Sequence, residues 1–102
     1  MSNPAPEQQI VLDEKDKQIL DFALKVGKTV LRYNPDLKPS FTFLFSKKEP
    51  NKKVVMVPRN EDCSMFLSAI EYQLHDKFII DGEFDRKIYY VLFKQLGLIR
   101  DD

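Results

Sequence analysis

The sequence predicts an α+β fold in the order helix, β-hairpin, helix, short strand or loop, helix, with the helices packed on one face of a small antiparallel sheet. Three observations lead there. Two long segments carry apolar residues at helical spacing, one short segment alternates with period two, and 102 residues are enough for one hydrophobic core and too few for two. With 43% apolar and 31% charged residues the chain has the balance of a globular protein rather than a disordered one. Eight Phe and four Tyr supply large buried areas per side chain, which helps a small domain offset its conformational entropy.

Residues 1–11 carry two prolines among mostly small or polar side chains and are expected to form a flexible arm, with Ile10, Val11 and Leu12 able to dock at its end. Residues 12–102 are expected to form a single compact α+β domain. Asp13, Glu14 and Asp16 place acids at the cap and first turn of a helix, where they complement its unpaired amides. Ile19, Phe22, Ala23, Val26, Val30 and Tyr33 then fall on one helical face, expected to meet the core, and Asn34-Pro35 ends the helix.

From Ser40 to Ser46 the alternation puts Phe41, Phe43 and Phe45 on one face of a strand. Val54-Val55-Met56-Val57 reads as its hairpin partner, with Pro50-Asn51 in the turn and Pro58 at the end. The other face of this hairpin carries Thr42 and Leu44 beside Val55 and Val57, and is expected to be half wet. Asn60 is the expected N-cap of a second helix running to about His75, with Cys63, Phe66, Leu67, Ile70 and Leu74 as its core stripe. Phe78-Ile79-Ile80 fits either a third strand or an ordered connection. Asp85 caps a last helix carrying Ile88, Tyr89, Val91, Leu92, Phe93 and Leu96, which Gly97 ends in the left-handed conformation with Leu98 behind it.

Recognisable chemistry is sparse. One Cys and one His, Cys63 and His75, lie twelve residues apart on one predicted helix, or about 18 Å, too far to share a zinc ion. Asp81-Gly82-Glu83-Phe84-Asp85 has the glycine of a calcium loop, but the first, third and twelfth positions fall on Lys77, Ile79 and Ile88, so three oxygen ligands are missing. The three glycines are scattered singly, which removes a phosphate-binding loop. No catalytic, metal or cofactor site is assigned, and the chain is read as non-enzymatic.

Charge excludes a global attraction to nucleic acid, since 16 basic residues balance 16 acidic ones. A single cysteine, no basic and apolar leader and no apolar run near the roughly 20 residues of a membrane span give the expectation of a cytoplasmic protein without a membrane partner. Two surfaces are candidates for function. Leu20, Leu24 and Leu31 form a second apolar stripe on the first helix, Met65 and Tyr72 lie opposite the core stripe of the second, and Tyr90 extends the third, as an interface with a protein partner or a second copy of the chain would require. Lys47, Lys48, Lys52 and Lys53 flank the hairpin turn with Arg59 beyond the second strand, a set able to contact phosphates. The expected function is that of an adaptor or inhibitor-like interaction module. The alternatives are a nucleic-acid accessory protein using the lysine hairpin and a small-molecule or nucleotide sensor.

Overall fold

A computed structural model describes residues 10–48, 54–78 and 85–100. These residues form three helices and a two-stranded antiparallel sheet: α1 (Glu14–Tyr33), β1 (Phe41–Phe45), β2 (Val54–Pro58), α2 (Asp62–Lys77) and α3 (Arg86–Gln95). This is the α+β order expected. The 78–80 segment, the turn between the strands, the calcium-loop resemblance and the arm lie wholly or largely outside the described residues.

Local signals set the helix ends. Asp13 accepts from the Asp16 amide at 2.8 Å while its own amide donates to the Asp16 carboxylate at 3.2 Å, a capping box that satisfies two amides at the start of α1. At the other end the Asn34 side chain donates to the Val30 carbonyl at 2.8 Å, so the residue before Pro35 also closes the last turn. The N-cap of α2 is Glu61 and not Asn60. Asn60 is drawn away because its amide group bonds the Lys38 carbonyl, while Asp62 accepts from the Lys38 amide, both at 2.8 Å, tying the 34–40 connection to the start of α2. Asp85 caps α3 through the Lys87 amide. Gly97, at φ 73°, ends it in a Schellman arrangement, with bonds from the Gly97 amide to Lys94 and from Leu98 to Phe93.

The core gathers α1, β1, α2 and α3 around Phe41, Phe66, Ile70, Leu74, Leu92 and Phe93. Phe41 stacks on Phe93 with ring centres 4.3 Å apart, and Phe66 reaches the same ring from α2 at 5.7 Å. Helix α3 meets the Phe face of the sheet, while α1 packs across α2 and α3.

Two packing expectations are corrected. On α1 the buried residues are Ile19 and Ala23, both on the expected core face, and Gly27, which lies between that face and the leucine stripe, so the two stripes are the flanks of one apolar arc about 200° wide. Tyr33, assigned to the core face, is 75% exposed, because it sits in the last turn, at the end of the helix. The sheet also has an unexpected neighbour. Phe41 bridges Ile99 in parallel, its amide donating to Leu98 at 2.9 Å and its carbonyl accepting from Arg100 at 2.7 Å. The chain after α3 therefore covers the outer edge of β1.

Candidate functional site

Of the six apolar interface candidates, the structure leaves two open. Leu20, Leu24 and Leu31 are half-buried against the core as one flank of the broad α1 arc. Tyr90 is 5% exposed, its ring set edge-on to Phe45 at 4.7 Å and Phe43 at 5.4 Å, and it leaves the candidate surface for the core. The reason is that the sheet lies over α3, so this helix is enclosed on a wider arc than a surface helix would be. Met65 and Tyr72 stand out from α2 at 57% and 73% exposure. Tyr72 borders an open cleft of about 520 Å³ between α1 and α2, walled by Phe22, Val26, Val30 and Ala69.

The outer face of the sheet is half wet, as expected, and adds two open apolar side chains to those on α2. Register pairs Leu44 with Val55 and Thr42 with Val57. Phe41, Phe43 and Phe45 take the inner face, so the outer face is left with Leu44 at 56% and Val55 at 50% exposure directly opposite one another. The signal was the missing charge: an ordinary solvated face alternates apolar with polar residues, and here the outward positions are Thr, Leu, Val and Val.

The free edge of β2 follows from the bonding pattern. The Arg59 amide donates to Ser40 at 2.8 Å, so Ser40 and Arg59 form a closely bonded pair, and in an antiparallel ladder every second pair repeats it: Thr42 with Val57, Leu44 with Val55. The amides of Val54 and Met56 and the carbonyls of Val54, Met56 and Pro58 consequently point away from β1. Among the described residues none bonds to them.

Of the phosphate candidates, Lys47 and Lys48 are exposed just beyond β1, and Arg59 is exposed just beyond β2, at opposite ends of the hairpin. Lys52 and Lys53 lie outside the described residues. Cys63 is fully buried, its thiol donating to the Ser40 carbonyl at 3.0 Å and Asn60 Oδ1 at 3.3 Å. His75 is exposed in the last turn of α2. Among the described residues no three His, Cys, Asp or Glu side chains converge as metal ligands, and no helix is long and apolar enough to cross a membrane. No family model, curated protein or solved structure matches the chain.

Proposed function

We propose that the chain is a small non-enzymatic interaction module that works by binding another protein. The observation that carries this reading is the set of apolar side chains left more than half open, or nearly so, on two surfaces: Leu44 and Val55 on the sheet, Met65 and Tyr72 on α2. Fully burying one large apolar side chain contributes about 1.5–3 kcal/mol, so either pair, covered by a partner, supplies a useful part of a micromolar affinity. A buried free thiol at Cys63 suits the reducing cytoplasm, where we place the protein. The sensor reading has less support, because the cleft beside Tyr72 is open rather than enclosed.

Capture from native extract, with and without nuclease, tests the reading, comparing the wild-type chain with Leu44→Ser/Val55→Ser and with Met65→Ser/Tyr72→Ser. The expected result is a stoichiometric protein companion, lost on one of the double variants while the circular dichroism spectrum is kept. Nucleic acid as the only companion, abolished by nuclease and by Lys→Gln changes at Lys47, Lys48, Lys52 and Lys53, would instead establish the lysine hairpin as the working surface.

A further inference from the structure

Two helices packed side by side leave a groove between them, and the groove between α1 and α2 has walls of different character. Phe22 meets the Phe78 ring at 5.8 Å and lies under Lys77 Nζ at 5.6 Å, whereas Gly27 lies beside Phe66 and Ile70, so the two helices run in opposite directions. The floor is Phe22, Val26, Val30 and Ala69, each half-buried, with Lys25 lining it from α1 and Tyr72 from α2. Seven residues make close to two helical turns, so Arg32 stands on the Lys25 side of α1 and Met65 on the Tyr72 side of α2, at the same end of the groove. Along about 10 Å, one wall therefore offers exposed cations and the other exposed apolar side chains.

Acids do not offset the cationic wall. From Phe22 to Tyr33 α1 carries Lys25, Lys28 and Arg32 and no Asp or Glu, and among the described residues none of the three forms an ion pair. Asp21, the acid before them, borders the other flank of α1 with Leu20 and Leu24, and Asp36, the acid after them, lies past the end of the helix. On α2, Asp62 is held at the Lys38 amide, and Asp76 sits one turn beyond Tyr72, beside Lys77. Glu71 and Gln73 project about 100° to either side of Tyr72, and Gln73 lines the groove, so Glu71 faces away from it.

We propose that this groove holds one amphipathic helix of a partner protein, its apolar stripe against the floor and against Met65 and Tyr72, and acidic residues along the flank that lies over Lys25 and Arg32. This rests on the interaction-module reading and names the partner's chemistry. The groove selects a helix, because the ridge of a third helix fits between two others. An extended segment finds no backbone partners there, since both walls are helices whose amides and carbonyls bond one another. The cations select acid, because complementary charge across an interface fixes register and rejects wrong partners.

Fluorescence anisotropy with labelled synthetic peptides tests this on the full chain. The probe is an alanine-based helix of about four turns, held helical by a covalent staple on its outer face, with leucines at i, i+4 and i+7 and two glutamates seven residues apart on one flank. Its expected dissociation constant is on the order of 100 micromolar, as suits a short single-helix contact. A proline in place of its central alanine should abolish binding. Lys25→Glu/Arg32→Glu, with the circular dichroism spectrum kept, should weaken the probe at least tenfold, and the peptide with lysines in place of the glutamates should bind that variant as tightly as the probe binds the wild-type chain. Met65→Ser/Tyr72→Ser should weaken the probe at least tenfold. Equal binding of the proline form overturns the helix, and binding unchanged by Lys25→Glu/Arg32→Glu overturns the charge match. Absence of binding by every peptide overturns the proposal as a whole. So does a labelled DNA duplex that binds more tightly than the probe and is lost in the same charge variant, or a dimer in sedimentation that the probe dissociates. If capture of a protein companion nonetheless depends on Leu44 and Val55, the interaction module stands and its surface is on the sheet.

Discussion

Phe93 receives rings from three elements: Phe41 and Phe43 from β1, Phe66 from α2 and Tyr89 from one turn back on α3. Truncating it leaves a cavity where β1, α2 and α3 share one ring, so Phe93→Ala is expected to cost about 3–5 kcal/mol in urea unfolding and Phe93→Leu clearly less. A loss below 1 kcal/mol for the alanine variant would contradict this core. Two glycines are separated by opposite arguments. At Gly97 a Cβ meets nothing within 4 Å, so Gly97→Ala costs only the left-handed backbone, about 1–2 kcal/mol, and Gly97→Asn less. At Gly27 the backbone is ordinary helix, and a Cβ would come 2.8 Å from Leu96 Cδ1, the tip of a half-buried side chain that can turn aside. The helix preference for Ala, about 1 kcal/mol, offsets that shift, so Gly27→Ala should change stability by less than about 1 kcal/mol. Gly27→Leu, whose longer side chain runs on into Phe66 and Ile70, should destabilise by more than about 2.

At the scale of the element, α2 and α3 were legible because their buried residues repeat at helical spacing and because Asp85 and Gly97 carry capping signals strong enough to stand alone. The hairpin was legible from Phe41, Phe43 and Phe45. Helix α1 was half legible: periodicity finds apolar stripes but cannot say whether two stripes are core and surface or two flanks of one face. Gly27 resolves the question in the second sense, because it is buried between the two stripes with Leu96, Phe66 and Ile70 beside it. The pairing of 98–100 with β1 could not be read, since a three-residue parallel contact leaves no alternation to detect. Of the interface candidates, Met65 and Tyr72 are exposed as expected, whereas Tyr90 is buried, because exposure of a third-helix residue depends on where the sheet sits. The cap on α1 gives the element its own prediction. Asp13→Ala removes the bond to the Asp16 amide and should lower stability by about 1 kcal/mol, read as a shift in urea midpoint with unchanged slope.

For the whole molecule, the three leucines that argued for a self-associating stripe on α1 are largely used by the core, and the basic hairpin opposes pairing through β2. Sedimentation at micromolar concentration and about 0.1 M salt is expected to give the 12.0 kDa chain alone. A dimer that persists in Met65→Ser/Tyr72→Ser but is lost in Leu44→Ser/Val55→Ser would return the sheet edge to self-pairing. The sheet surface offered to a partner is thus the uncharged outer face at Leu44 and Val55, with α3 supporting the sheet from behind.

Amide hydrogen exchange along β2 tests that surface most directly, because it reads the edge without knowing the partner. In the free chain the Val55 and Val57 amides, which face β1, should exchange slowly, while the Val54 and Met56 amides, which face outward, should exchange fast. Slow exchange at Val54 and Met56 in the free chain would show that the edge is already covered and would contradict the account.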